Sequence, residues 1–469
     1  MQVSESTLRP QGCELARDLG ASHAAAIVVG TIIGSGIFLV PAEMMQAVGS
    51  SALVCLAWVV GGLLSFFGAL TYAELGSMRP EAGGEYVYLR DGYGPLAGFL
   101  YAWTWFLIAK PASIASVTAG LVRILGTFGM LSFLPKQLLH VPVAITWGQL
   151  VAIVATLLIT GLNYIGIRKA GDFQLVFTLL KIAMIAAIVV LGFMAASGTW
   201  RHFATSFAGA KGGVAGFMAA LVAALWAYDG WNDLTMVAGE VRQPERNLPM
   251  GLIAGVGAVA GLYIFTNAAV QYVLPASAVA ASPRPASDAI AASVGAWGGV
   301  LVSAGMALSM LVTLNGTVMS GGRVPFAAAR DGYFFSALAR VHPRFRTPSA
   351  SLAVQAVLAI LLLLAAPTFR QLFSLAIFAE WLGYMFAAGT VFIFRRRGEQ
   401  APYRMWGYPL VPVLFITTSA VLLWYTFAQN LRNSAAGSLV ILAGVPVFYA
   451  FSKSKTLRIA TETQRQRGK

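Results

Sequence analysis

Long apolar segments recur along the whole chain and constrain its fold more than any other feature. A helix needs about 20 apolar residues to cross the ~30 Å hydrocarbon core of a bilayer. Hydrophobic residues make up 58% of the sequence and charged residues only 11%, whereas soluble domains carry about 25% charged residues. The sequence therefore predicts an all-α membrane protein of about twelve transmembrane helices, at residues 22–48, 51–75, 93–122, 143–162, 173–196, 213–238, 248–274, 293–321, 350–366, 371–394, 409–429 and 434–452.

The first ten predicted helices divide into two halves of five, residues 22–196 and 213–394. Because five is odd, the halves would cross the membrane in opposite directions and form an inverted repeat. The first helix of each half is interrupted, and interruptions at matching positions of inverted repeats point to the site of a transporter. Helices eleven and twelve, residues 409–452, fall outside the repeat. We expect residues 1–21 and the basic tail 453–469 to be cytoplasmic.

The net charge of +14 raises the question of nucleic-acid binding, so the positions of the basic residues matter. With a cytoplasmic N terminus, 23 of the 32 Lys and Arg residues fall on the inner side of the membrane. Seven fall on the outer side: Arg123, Lys136, Arg201, Lys211, Arg284, Arg370 and Arg432. The other two, Lys110 and Lys181, lie within helices. This bias satisfies the positive-inside rule with both termini cytoplasmic. The basic charge therefore reflects topology, and we expect a lipid bilayer and no nucleic acid as partner.

The first apolar segment contains a glycine-rich interruption that could bind the backbone of an amino acid. A turn at Gly34, Ser35 and Gly36 would free backbone N–H groups at the positive end of the following half-helix, which favours a carboxylate. The backbone carbonyls upstream, near Ile32 and Ile33, would lose their helical hydrogen bonds and could accept hydrogen bonds from an ammonium group. The alternative is a small-residue packing face, which is common in membrane helices.

The sixth segment places polar residues at membrane depth and offers a second half of the same site. Carbonyls near Trp226, Ala227 and Asp229 could also accept from an amine. The Trp226 ring could close over a bound side chain, or it could pack in the interior. Asn232 could bridge the half-helices or contact the ligand. The Asp229 carboxylate could favour cationic or polar side chains, or could accept hydrogen bonds from freed backbone N–H groups.

Three further ionisable residues lie within predicted helices, where each needs a partner or a function. Lys181, in the middle of segment five, must reach carbonyls or a carboxylate, be neutral, or extend to the cytoplasmic surface. We favour an internal role, in which its ammonium does the work of a sodium ion. Lys110, before Pro111, has a weaker case for the same role. Glu380 in segment ten is either a proton carrier or a neutral, hydrogen-bonded glutamate.

Enzyme motifs are not evident in the sequence. The four histidines show no metal-ligand spacing, and no Walker-type loop is present, so we expect no metal, no cofactor and no catalytic residue. Cys13 and Cys55 do not lie where an external disulfide would form.

Taken together, the motifs resemble those of the amino acid–polyamine–organocation superfamily, in particular its L-type amino acid transporter branch. The resemblance covers roughly residues 20–400 and rests on an ordered set of motifs: 30–38 (GTIIGSGIF), 73–76 (AELG), 83–86 (GGEY), 93–95 (YGP), 110–111 (KP), Lys181, 226–232, 239–240 (GE) and 244–249 (PERNLP).

The resemblance implies a five-plus-five inverted-repeat (LeuT-like) fold, alternating access, and sodium-independent exchange of α-amino acids. By family analogy Ser35 and Gly36 meet the substrate carboxylate, while Ile32 and residues 226–229 receive the amine. Trp226 matches the aromatic gate of the family. Asn232 matches its polar residue after the break, and Lys181 matches its sodium-replacing lysine.

Two departures from the family pattern affect the expected partners and substrates. The stretch 127–142 lacks the external cysteine that bonds a heavy subunit in animal relatives, so we expect no such subunit and a bacterial-type inner membrane. Aspartate at position 229 occurs in relatives that also accept dibasic substrates, so neutral L-amino acids are the first expectation and cationic ones remain open. The alternatives are a proton-coupled symporter, using Glu380 or Asp229, and a channel or non-transporting receptor.

Overall fold

The computed structural model describes residues 14–139, 145–365, 369–429 and 431–467. Cys13, the predicted start of the fourth helix at 143 and the predicted end of the ninth at 366 lie outside the described residues. The described chain is almost entirely helical, as the sequence predicts. A short antiparallel pair of strands, β1 (Gln137–Leu139) and β2 (Ile145–Thr146), is the exception.

The apolar segments predicted in the first half are helical, with the interruption in segment one in place, and a helix at Glu85–Tyr93 that was not predicted lies between the second and third of them. They are α1 (Ala21–Ile32), α2 (Gly36–Val48), α3 (Ser51–Met78), α4 (Glu85–Tyr93), α5 (Pro95–Thr104), α6 (Lys110–Leu125), α7 (Trp147–Tyr164) and α8 (Ile167–Phe193). A π-helical turn at Trp105–Ala109 joins α5 to α6, so the third predicted helix is a single rod with one irregular turn.

The second half contains the other predicted interruption, because the sixth segment stops being helical at Ala227. Its helices are α9 (Gly213–Ala227), α10 (Asp233–Met236), α11 (Pro244–Val273), α12 (Ala276–Ala281), α13 (Pro285–Val294), α14 (Ala296–Gly321), α15 (Arg323–Arg330), α16 (Ser349–Ala365) and α17 (Phe369–Arg396). The last two helices are α18 (Leu410–Gln429) and α19 (Leu431–Arg467), and α19 continues past the predicted end at 452.

Eight helical segments in the described part of the chain are long and apolar enough to cross a membrane. They are Ala21–Val48, Ser51–Met78, Pro95–Leu125, Trp147–Tyr164, Ile167–Phe193, Pro244–Val273, Ala296–Arg330 and Leu410–Ala428. Shorter apolar helices occur at Gly213–Ala227, Ser349–Ala365 and Gly437–Lys453. These findings support a multi-pass membrane protein, while the count of twelve spans stays a prediction.

The interrupted helix α1–α2 lies at the centre of the bundle. Helix α1 packs against α8, α11 and α14, and α2 packs against α9. Small residues allow this close approach: a Cβ atom on Gly255 of α11 would lie 2.6 Å from a methyl group of Val28. Helices α8, α11 and α14 each belong to a long apolar segment, and the polar residues Thr31 and Ser35 at the break are buried.

Candidate functional site

The break in the first helix leaves donors without acceptors, as the glycine-rich motif predicts. Helix α1 ends at Ile32 and α2 begins at Gly36. Among the described residues, no backbone carbonyl accepts a hydrogen bond from the N–H groups of Ser35, Gly36 or Ile37. These donors lie at the positive end of a 13-residue helix, which is an anion-binding arrangement.

The break in the sixth segment lies directly against the first break. Helix α9 ends at Ala227, and Gly230 turns the chain in the left-handed region with φ 103°. A Cβ atom on Gly36 would lie 2.7 Å from the Cβ atom of Ala227, and one on Gly230 would lie 2.9 Å from Cγ2 of Thr31. The two interruptions therefore meet backbone to backbone, which only glycine permits at this distance.

Tyr263 of α11 connects the two breaks. Its hydroxyl lies 3.0 Å from the carbonyl oxygen of Ile32 and 3.1 Å from that of Ala227. A hydroxyl has one hydrogen to donate, so it serves one carbonyl at a time, and each carbonyl keeps a lone pair for another donor. Nothing in the sequence indicates this role, because Tyr263 sits in a continuous apolar helix.

Lys181 of α8 binds the end of α1 from the side. Its Nζ atom lies 2.8 Å from the carbonyl oxygen of Gly30, 2.6 Å from that of Ile33 and 3.1 Å from that of Ser309. The residue is buried, so its ammonium does not extend to a surface. The hydroxyl of Ser309 also donates to Ile33, and that of Thr313 lies within reach of both α1 carbonyls. All three ammonium hydrogens have acceptors.

A cavity of about 90 Å³ lies between the breaks. Eight of the nine predicted substrate-binding residues line it: Ile32, Gly34, Ser35, Gly36, Trp226, Ala227, Asp229 and Asn232. The ninth, Ile33, is not among the lining residues, because its carbonyl points to Lys181 and Ser309. The lining also contains Glu380, together with residues that sequence reasoning did not select, chiefly Ser113, Ser116, Thr313, Thr317 and Tyr384.

One end of the cavity is strongly polar. Lys110 pairs with Asp233 at 2.5 Å, and both side chains are buried. Asp229 accepts a hydrogen bond of 3.0 Å from the hydroxyl of Tyr384, and Glu380 accepts one of 2.8 Å from Ser113. The predicted internal role of Lys110 thus becomes an ion pair with a carboxylate, which is how buried charges are retained.

Asn232 connects this polar end to a residue outside the cavity wall. Its Nδ2 atom donates to Oε1 of Glu85 at 2.7 Å, and its Oδ1 atom lies 3.2 Å from the Tyr384 hydroxyl. Glu85 is fully buried. The sequence motif that contains Glu85 contributed to the family resemblance but indicated nothing about this contact.

A bundle of apolar helices with a small polar cavity between two interrupted helices defines a class of protein, the secondary transporters. The comparison with known families makes the assignment specific. Residues 19–451 match the amino acid permease family, and the chain belongs to it. The predicted resemblance to the L-type branch of the amino acid–polyamine–organocation superfamily is confirmed, and the chain is accordingly a membrane transporter and not an enzyme.

Three characterised relatives cover nearly the whole chain. The serine/threonine exchanger SteT of Bacillus subtilis is 34% identical over 449 residues, which span 94% of this chain and 98% of the relative. The b(0,+)-type amino acid transporter 1 of Rattus norvegicus is 31% identical, spanning 90% and 85%. The large neutral amino acids transporter small subunit 2 of Homo sapiens is 30% identical, spanning 93% and 81%.

Proposed function

We propose that this protein exchanges neutral L-amino acids across a membrane, without sodium, by alternating access around the cavity between the two breaks. One observation carries the proposal. Ser35 and Gly36, whose N–H groups meet no backbone acceptor among the described residues, line the same small space as Ile32 and Ala227 at the ends of α1 and α9. That space offers donors for an α-carboxylate beside acceptors for an α-amine, which every amino acid carries.

Five of the predicted site residues contact the substrate directly in this scheme. The substrate carboxylate binds at Ser35 and Gly36, and the amine approaches the carbonyls of Ile32 and Ala227 on the lone pairs that Tyr263 leaves open. Trp226 lines the cavity and closes over the substrate side chain. The cavity of about 90 Å³ is well below the ~300–1,000 Å³ of drug-sized sites, which favours small side chains.

Lys181 supplies the fixed cation of the scheme. Its ammonium binds the α1 carbonyls of Gly30 and Ile33, where a sodium ion would otherwise neutralise the negative end of the half-helix. A cation that cannot leave couples transport to no sodium gradient, and a second amino acid moving in the opposite direction is the driving force in this scheme. The relative named as a serine/threonine exchanger supports exchange as the mode of transport.

We place the transporter in a bacterial-type inner membrane, as twelve helices in two inverted repeats, 22–196 and 213–394, with both termini cytoplasmic. The 23 inner and seven outer basic residues support this orientation. The absence of a cysteine in the sequence 127–142 supports function without a disulfide-linked heavy subunit.

Counterflow in proteoliposomes tests the proposed mode of transport. Purified protein should take up radiolabelled L-serine when the vesicles contain unlabelled L-serine, and should not concentrate it in empty vesicles. Replacing sodium by choline should leave the rate unchanged. Protein-free vesicles provide the background.

Two other results would each favour a different mechanism. Concentrative uptake into empty vesicles under a pH gradient would replace exchange by proton symport. Glu380 supports that second candidate, because in the described structure it accepts a hydrogen bond from Ser113 and forms no ion pair. Asp229 is the other candidate for the proton carrier. Uptake that does not saturate with substrate concentration would instead indicate a channel.

Replacing Asp229 by asparagine should change selectivity more than rate. Asp229 lines the cavity, and asparagine keeps an oxygen for the Tyr384 hydroxyl while removing the charge. We expect exchange of L-serine or L-lysine to fall about tenfold relative to L-alanine, since a hydrogen bond to a charged group contributes about 1.5–3 kcal/mol. Competition of each amino acid against L-alanine counterflow measures the change. Asp172→Asn, a change at an exposed carboxylate, is the control, and an unchanged substrate profile in Asp229→Asn would leave Asp229 a structural role only.

A further inference from the structure

Glu85 is a buried acid for which the transport scheme has no use. It is the first residue of α4, ahead of the membrane span Pro95–Leu125, and it is fully buried. Three other buried acids each bind a cation, in the pairs Glu74–Arg395, Asp233–Lys110 and Glu240–Arg323. Glu85 forms no ion pair within the described residues. A buried carboxylate without a cation is costly when ionised, so its retention here needs a reason.

A chain of hydrogen bonds leads from Glu85 into the transport cavity. Oε1 of Glu85 accepts from Nδ2 of Asn232 at 2.7 Å. The hydroxyl of Tyr384 lies 3.2 Å from Oδ1 of Asn232 and 3.0 Å from Oδ1 of Asp229. Asp229 is the carboxylate that lines the cavity. Glu85 therefore reaches the substrate site through two side chains.

The Tyr384 hydroxyl has one hydrogen and two possible acceptors, Asn232 and Asp229. The protonation state of Glu85 can determine which of them accepts the hydrogen bond. While Glu85 is ionised it can only accept, which directs the NH₂ group of Asn232 to it and the amide oxygen to Tyr384. Asn232 then competes with Asp229 for the Tyr384 hydrogen. When Glu85 is protonated it can donate to the amide oxygen, and a rotated amide presents its NH₂ group to the Tyr384 oxygen. The hydrogen of Tyr384 then goes to Asp229 alone.

We propose that Glu85 is a positioning residue that makes the side-chain preference of the transport site depend on pH. Ionised Glu85 draws the Tyr384 hydrogen toward Asn232 and leaves Asp229 a stronger acceptor for a donor on the substrate side chain. Protonated Glu85 releases that hydrogen to Asp229, which then accepts less well from the substrate. This inference rests on the proposed amino acid exchange at the same cavity.

The surroundings of Glu85 allow both forms near neutral pH. Burial raises the pKa of Glu85 to about 7, against the lowering effects of its own backbone N–H and of Asn232. Two charged groups face it, Asp233, which raises the pKa, and Lys110, which lowers it. The remaining ionisable neighbours are tyrosines, which are neutral near pH 7: Tyr72, Tyr88, Tyr101 and Tyr384. Both the ionised and the protonated form of Glu85 are therefore accessible between pH 6 and pH 8.

The test compares two substrates that differ by one side-chain hydroxyl, L-serine and L-alanine, in counterflow at pH 6 and pH 8. In the wild type, the ratio of the KM for serine to that for alanine should rise about threefold to tenfold from pH 8 to pH 6, which is the strength of one hydrogen bond. In Glu85→Gln the ratio should be the same at both pH values, because glutamine keeps a contact to Asn232 but does not titrate. Glu81→Gln is the matched control, since Glu81 lies in the same connection with a side chain 56% exposed, and it should keep the wild-type pH dependence.

The possible results separate the two proposals. A wild-type pH dependence in Glu85→Gln, or a ratio that does not change with pH in the wild type, would overturn the role of Glu85 while leaving exchange intact. Absence of both serine and alanine counterflow in the wild type would instead count against the exchange proposal itself. If Glu85→Gln does not fold, Asp229→Asn serves in its place: its ratio should lose the pH dependence, and persistence would refute the relay.

Discussion

Replacement of Lys181 by methionine should reduce amino acid exchange at least a hundredfold while leaving the protein in the membrane. Methionine has a similar length and no charge, so the variant removes the ammonium with little change in packing. Its loss leaves the carbonyls of Gly30, Ile33 and Ser309 without their shared donor. The hydroxyls of Ser309 and Thr313 still reach the α1 carbonyls. A hydrogen bond to a charged group contributes about 1.5–3 kcal/mol, however, and loss of the ammonium removes the link between α8 and the end of α1.

Initial rates of L-serine counterflow measure this effect. The matched control is Lys169→Met, because Lys169 lies on the same helix, α8, and is exposed; it should exchange at the wild-type rate. Gel filtration in detergent shows whether each variant remains folded. Near-normal exchange by Lys181→Met would refute the role of its ammonium as the fixed cation of the site.

Several residues of this site can be recognised from the sequence alone, because each stands out against its immediate neighbours. Glycine at the centre of an apolar segment is unfavourable for a helix, and a lysine at membrane depth is rare, so Gly34, Gly36 and Lys181 stand out in the sequence alone. The same holds for Asp229 beside Gly230. Each of these residues is of a type that is unfavourable inside a membrane helix, and this can be recognised without knowing which residues pack against it.

The residues that could not be predicted from the sequence are of types that are common in membrane helices. Tyr263, Ser309 and Tyr384 are ordinary members of long helices, and serine or tyrosine can remain in a membrane helix with little cost. Their roles depend on which helix packs against which break. This is a long-range property of the fold, and the periodicity or spacing of residues in the sequence does not reveal it. For the same reason the direction of the Ile33 carbonyl, toward Lys181 and away from the cavity, could not be predicted.

Gly36→Ala should reduce exchange about tenfold or more, although alanine is the smallest possible change. Its Cβ atom would lie 2.7 Å from Cβ and 2.8 Å from Cα of Ala227. Neither atom belongs to a flexible side chain, so the two breaks must move apart. Overpacking of this kind costs about 1–3 kcal/mol. Separation would also lengthen the bridge that Tyr263 makes between Ile32 and Ala227, so the cost falls on the geometry of the substrate site.

Gly261→Ala is the control, because Gly261 lies within α11 and does not line the cavity. In the described structure its Cβ atom would have no neighbouring atom within 4 Å. Counterflow rates for both variants, normalised to folded protein, should therefore differ by about the same tenfold. Equal rates would mean that the two breaks can separate without loss of transport. In that case the close contact at Gly36 would be a feature of packing, and the carboxylate site would not depend on it.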